Sequence, residues 1–161
     1  MHYLTRTYES LMKILTRASL LVGSSLLAIA PTAPTEAETP ATSSVKVVVS
    51  ALASTESVVK LYFYNQQATF LKSGGYAFRK VVQPSGQRQI TLPVDLPNGE
   101  WAVVITQDMN NNDKLDKNLV GIPTEPYGFS NNVRPKFAPP GFDDCKFVVN
   151  GPRVVTIALL K

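Results

Sequence analysis

Histidine and cysteine are almost missing from this 161-residue chain. The one histidine, His2, lies in an N-terminal segment expected to be removed. What remains can run neither a Ser/His nor a Cys/His nucleophile and cannot build the usual zinc sites. The one cysteine, Cys145, rules out an intramolecular disulfide even in an oxidising compartment. In "DDCKFVV" it alternates with Phe147 and Val149, the pattern of a small apolar core residue rather than a reactive thiol. Clustered charge is also lacking. The basic residues from Lys46 to Lys161 stand singly apart from Arg79-Lys80, so no basic stripe can follow a phosphate backbone, and nucleic acid is excluded as a partner.

Long apolar runs are limited to "ASLLVGSSLLAIA" at 18–30. That run is well short of the roughly 20 residues a spanning helix needs. Preceded by Arg6, Lys13 and Arg17, it has the layout of a secretory signal peptide. Ala28-Ile29-Ala30 would suit signal peptidase, but Pro31 directly after it should hinder cleavage, so Ala37 is the expected last signal residue. The expected organisation is a signal peptide at 1–37, a Pro/Thr/Ser-rich flexible lead at 38–44 and one domain at 45–161. This implies an exported protein, periplasmic or secreted, with no stable membrane span after signal removal. No cysteine near the cut is available for a bacterial lipid anchor. Removing Arg6, Lys13 and Arg17 from 16 basic residues, and Glu9 and Glu36 from 12 acidic ones, leaves a mild net charge of +3.

Helical periodicity is nearly absent, and strand patterning takes its place. In "VKVVVSALA" at 45–53, Val45, Val47, Val49 and Ala51 share one face; "SVVKLYFYN" at 57–65 follows a short polar break, so the two could form a hairpin. "GYAFRKVVQ" at 75–83 reads as a weaker strand, preceded by a helical turn or loop. "RQITLPVDL" at 88–96 is a strand whose Pro93 argues for an edge or a bulge. After the turn signal Pro97-Asn98-Gly99, Trp101, Val103 and Ile105 alternate with Ala102, Val104 and Thr106; both faces are largely apolar, which predicts a central strand. "CKFVVN" at 145–150 and "RVVTIALLK" at 153–161 close the chain around Gly151-Pro152. About seven strands with closely spaced turns and no convincing helix predict an all-β chain, a single antiparallel β-sandwich.

Between the fifth and sixth of these strands lies a long loop, 108–143, of a length that is commonly functional or disordered. Val120, Ile122, Tyr127 and Phe129 give it apolar surface to bury, which favours order. Its opening, "DMNNNDKLDKN", places Asp108, Asn110, Asn112 and Asp116 at positions one, three, five and nine of an EF-hand-like calcium loop, with the Lys114 carbonyl at seven. Hard cations want several converging oxygens, and short Asp and Asn side chains can supply them, so Ca²⁺ is the expected ion. Two positions depart from the pattern: Asp113 replaces the glycine at six, and Leu119 replaces the bidentate Glu at twelve. Asp113 can adopt the left-handed conformation. The missing ligand must come from Glu125, Asp143, a carbonyl or water. No helix flanks the loop, so it is not an EF-hand. The alternative is a set of Asx-turns that holds no ion.

Two other features of the loop carry paired readings. Tyr127 and Phe129 could form a ligand-stacking platform beside the amides of Asn131 and Asn132, or fold back as a miniature core, which is the preferred reading. The carboxylates of Asp108, Asp113, Asp116, Glu125, Asp143 and Asp144 could include an acid/base pair, although nothing in their spacing fixes a separation.

Through "LPNGEWAVVITQDMNNNDKLDKNLVGIPTEPYGFSNN" and "KFAPPGFDDCKFVV" the chain resembles the exported bacterial family catalogued as domain of unknown function 2141. The resemblance covers about residues 45–161 and is specific through 97–149. The family's usual run is Leu-Pro-x-Gly-x-Tyr-Ala, then Asp-x-Asn-x-Asn-Gly-Lys-Leu-Asp, then Gly-Ile-Pro-x-Glu-x-Tyr-Gly-Phe-Ser-Asn-Asn; here Trp101 stands for the Tyr and Asp113 for the Gly. The family is similar in turn-and-strand pattern to transthyretin-like and carboxypeptidase-regulatory-like sandwiches. The resemblance supports the fold and transfers no activity.

Three functions follow as expectations. The leading one is a non-enzymatic exported sandwich whose loop is ordered by Ca²⁺ and serves an envelope or extracellular partner. The second is a metal-independent module binding a peptide, sugar or envelope component through Tyr127, Phe129, Asn131 and Asn132. The third, a hydrolase using the loop carboxylates, ranks last.

Overall fold

The computed structural model describes residues 40–161; the expected signal peptide and the first two residues of the lead lie outside them. Eight strands form two packed sheets: β1 (Thr42–Ser50), β2 (Val59–Tyr64), β3 (Phe78–Val82), β4 (Ile90–Pro97), β5 (Gly99–Gln107), β6 (Tyr127–Phe129), β7 (Phe147–Val149) and β8 (Arg153–Ala158). One sheet has the order β4-β1-β8. The other has the order β3-β2-β5-β6, with β7 also pairing β5. The expected all-β sandwich is therefore the architecture observed.

The alternating valines set the packing. Val45, Val47 and Val49 of β1, with Ile90, Leu96, Val155 and Ile157 beside them, face Val59, Leu61, Phe63, Trp101, Val103 and Ile105 across the sandwich. Each such side chain contributes roughly 1.5–3 kcal/mol on full burial. β5 is central as predicted, because Ala102 and Val104 on its other face are also covered, by Phe129, Phe142 and Cys145. Cys145 ends a four-residue helix, α1 (Phe142–Cys145), rather than opening a strand. It is still fully buried, and burial, with Asp144 adding, pushes its thiol up to about 12. Pro93 sits on β4, an edge strand, as expected for a proline within a sheet.

Two pairings differ from the sequence expectation: the hairpin of the first two strands and the purely antiparallel sandwich. β1 and β2 form no hairpin; the break at 51–58 carries the chain from one sheet to the other. The last two strands likewise divide between the sheets, so β7 pairs β5 while β8 pairs β1. Because β8 arrives from the opposite sheet, it can lie parallel to β1, and the sandwich is mixed rather than purely antiparallel. A short polar break permits either a hairpin or an arch, and the demand to bury both apolar faces selects the arch.

Candidate functional site

The outer face of the five-stranded sheet carries the polar site. On β2, Lys60 follows the alternation that turns Val59 and Leu61 to the core, and on β5 the even-numbered positions run Ala102, Val104, Thr106 and on to Asp108. Lys60 is opposite Thr106, and Arg79 on β3 is opposite Tyr62, so all of these meet on one face. Lys60 Nζ donates to Asp108 Oδ2 at 2.7 Å and lies 2.8 Å from Asp113 Oδ1; the Lys60 and Asp108 side chains are only 4% and 2% exposed. Arg79 Nη1 stands 3.6 Å from the same Asp113 oxygen.

Charge complementarity overrides desolvation here. Burial alone would lower the Lys60 pKa, but hydrogen bonds to Asp108 and Asp113 raise it above its ordinary value. Burial would raise Asp108, yet the Lys60 hydrogen bond and the Asp113 and Asn112 N–H groups hold it below the usual carboxylate range. The exposed Asp113 is lowered by its Lys60 hydrogen bond and by the Lys60 and Arg79 charges.

From Asp108 the chain coils around its own side chains. Asp108 Oδ1 accepts the Asn112 N–H at 3.2 Å and Oδ2 accepts the Asp113 N–H at 2.8 Å. Asn110 Oδ1 accepts the same Asn112 N–H at 3.2 Å, and Asn112 Oδ1 accepts the Lys114 N–H at 2.8 Å, forming successive Asx-turns. Asn111 and Asp113 take positive φ of 57° and 61°, which Asn and Asp tolerate best among non-glycine residues. The Asp116 carboxylate accepts the Asn110 amide at 2.7 Å and the Asn112 amide at 3.1 Å. Thus Asp108, Asn110, Asn112 and Asp116 are drawn together. Among the described residues, however, no three His, Cys, Asp or Glu side chains form a metal-holding group. The oxygen chemistry of the set suits Ca²⁺, but only Asp108 and Asp116 bring negative charge, and Asp108 already holds an ammonium.

The proposed replacements for the missing twelfth ligand are used elsewhere. Buried Glu125 accepts the Met109 N–H at 2.8 Å and the Asp116 N–H at 3.2 Å, cross-linking the two ends of the Asp/Asn stretch. Asp143, within α1, pairs with Lys146 just after it at 2.9 Å. Asp144 accepts the Gly141 N–H at 2.8 Å.

The aromatic platform is core, as preferred. Phe129 is buried and Tyr127 half-buried in the outer cluster, their rings 5.8 Å apart edge to face. The two amides hold neighbouring backbone. Asn131 Nδ2 donates to the Asp144 and Lys146 carbonyls, and Asn132 Nδ2 donates to the Thr156 carbonyl while its Oδ1 accepts the Ala158 N–H. Buried Ser130 completes this joint, accepting the Val103 N–H at 2.9 Å and donating to the Cys145 carbonyl.

Three residues of this region were not singled out from the sequence. Lys60 lies in a strand far from the loop, and only the odd polar residue within "SVVKLYFYN" marks it. Gln107, fully buried at the end of β5, faces the inter-sheet core; its amide accepts the Ala53 N–H at 2.8 Å and donates to the Ser54 carbonyl at 2.7 Å. Arg79 carries no sequence signal beyond its charge.

Residues 47–157 match the model of the family described as "Uncharacterized protein conserved in bacteria (DUF2141)". Neither a search of curated proteins nor one of solved structures found a match. With most of the sandwich and the whole Asp/Asn loop inside the matched span, the chain belongs to the DUF2141 family.

Proposed function

We propose that this is an exported, non-enzymatic β-sandwich protein of the periplasm or extracellular space, whose Asp/Asn loop binds Ca²⁺ weakly and presents a binding or structural surface to an envelope or extracellular partner. Export is supported by the charged and apolar segments at 1–30. The cation reading rests on one observation: Asp108 Oδ1 and Asn110 Oδ1 share the Asn112 N–H while Asn110 and Asn112 meet at Asp116. Ca²⁺ would take these oxygens, the Lys114 carbonyl and water. With two carboxylates in the set and Lys60 beside it, the dissociation constant belongs in the range of about 10⁻⁴–10⁻³ M seen in extracellular modules.

The non-enzymatic reading is supported by the state of the carboxylates. Asp108 is neutralised by Lys60, Glu125 is occupied by two backbone N–H groups, and Asp143 is paired with Lys146, so no two are poised across an apolar cleft as acid and base. Isothermal titration of the 38–161 protein with CaCl₂, beside an Asp116→Ala variant, tests the cation. The expected result is millimolar binding and a rise in Tm that the variant loses. No heat and no Tm change at 10 mM Ca²⁺, a concentration of about ten times the weakest expected constant, would remove it.

A further inference from the structure

Past Asp116 the chain forms a small hairpin. Thr124 N–H donates to the Asp116 carbonyl at 2.8 Å, Lys117 bridges Pro123, and Asn118 N–H donates to the Ile122 carbonyl at 2.8 Å. Gly121 N–H closes the turn on the Asn118 carbonyl at 2.9 Å, and Gly121 takes a φ of 82°, the three-residue turn in which a left-handed glycine follows the two apex residues. The turn is braced from within, because Asn118 Oδ1 accepts both the Val120 and Ile122 N–H groups. Glu125 fixes its base through the Asp116 N–H.

The apex of such a turn is where Gly, Asn, Asp, Ser and Pro normally stand. Here it is Leu119 and Val120, 107% and 77% exposed, followed by Ile122 at 56%. None of these side chains is needed to make the turn, and all three lose by facing water. A break of local rules on an otherwise braced element points to function. The feature is three aliphatic side chains at the tip of a hairpin. Exposed Lys117 stands within the hairpin and exposed Lys114 two residues before it, and among the described residues neither has an ion-pair partner. The adjacent carboxylates are engaged, Asp113 by Lys60 and Arg79 and Asp116 by the two Asn amides.

We infer that the 116–124 hairpin is a membrane-docking finger, which inserts Leu119, Val120 and Ile122 among the acyl chains of an anionic bilayer surface while Lys114 and Lys117 meet the phosphate headgroups. A narrow aliphatic tip with a basic collar suits the headgroup boundary, where apolar burial and attraction to anionic lipid act together. It suits a protein pocket less well, since the aromatic and Arg anchors that dominate such interfaces are absent from the tip.

Vesicle flotation of the 38–161 protein in EDTA tests this independently of Ca²⁺. Binding to vesicles containing phosphatidylglycerol is expected, falling at least several-fold with pure phosphatidylcholine or in 0.5 M NaCl. A Leu119→Asp/Val120→Asp double variant should lose at least tenfold in binding at unchanged Tm, and Lys117→Glu several-fold. In a Leu119→Trp variant, emission from the new indole should shift to the blue when anionic vesicles are added. Failure of the wild-type protein to float, equal flotation of the double variant, or a protein partner that needs the tip while vesicles are ignored would each overturn the inference.

Discussion

Lys60 Nζ lies 2.7 Å from Asp108 Oδ2, and this buried contact ties the start of β2 to the residue at which β5 gives way to the long loop. It is also the point where the expected calcium loop already contains a cation.

Lys60→Met should destabilise the protein by about 3–5 kcal/mol, because it leaves Asp108 buried without its countercharge. Adding Asp108→Asn should recover part of that loss, since the amide oxygen can still accept a loop N–H and no buried charge remains. Urea denaturation of the single and double variants measures the coupling. Additive costs would show that the pair does not act as a unit.

The same cluster sets a pH window. Asp108 and Asp113 have folded pKa values below the ordinary 3.8, so their contribution is complete above about pH 5 and is lost as pH falls through the folded values. Lys60 is raised above 10.5, so its contribution is complete below that pH and is lost only as pH climbs through the raised value. Amide exchange at Asn112 and Asp113 should therefore be slow, relative to its intrinsic rate, across neutral pH and lose protection only as pH falls through the lowered values of Asp108 and Asp113. Protection that persists to pH 2 would separate the loop's order from the ion cluster.

Gly128 is present because of its neighbours rather than its backbone angles. A Cβ there would lie 2.9 Å from Ile157 Cγ2 and 3.2 Å from Leu159 Cδ2. Gly128→Ala should cost about 1–3 kcal/mol through overpacking. A thermal melt showing no loss would mean that β8 can move away from β6.

Phe129→Ala should cost about 3–5 kcal/mol, as expected for an aromatic side chain removed from a packed cluster. Asn132→Ala should cost about 0.5–1.5 kcal/mol per hydrogen bond removed, those to the Ala158 N–H and the Thr156 carbonyl, both of which are exposed. Chemical denaturation checks both. Full stability with lost recognition of a peptide or sugar would instead restore these residues as a ligand surface.

How much of this was legible depended on sequence distance. Val45, Val47 and Val49 state their face by local alternation, as do Trp101, Val103 and Ile105; the first strand runs Thr42–Ser50 rather than 45–53, and Ala51, expected on the valine face, lies beyond it, exposed and at a φ of 58°. Asp108, Asn110, Asn112 and Asp116 were read as one cluster because they share a single loop. The three residues of β6 are too few to show a period. Lys60 and Asp108 meet across 48 positions, which no local pattern records. The direction of β8 was hidden for a related reason: Gly151-Pro152 marks a turn but not whether the chain stays in its sheet. Gln107 continues an apolar alternation, and nothing in the sequence signals that a glutamine there would find four backbone partners.

The parallel pairing of the first and last strands bears on how the molecule assembles. Val45 sits opposite Arg153 and Ser50 opposite Ala158, so the middle strand of the smaller sheet has one neighbour drawn from the final residues of the chain. A chain emerging N-terminus first, from a ribosome or through a translocation channel, can pair β1 with β4 early. It must keep the other edge of β1 open until β8 arrives. Closing a loop of that length adds entropy only slowly with length, but the contact is as non-local as this fold allows, which favours slow folding. The late docking of β8 marks the period in which a waiting β1 edge is open to strand addition from another chain.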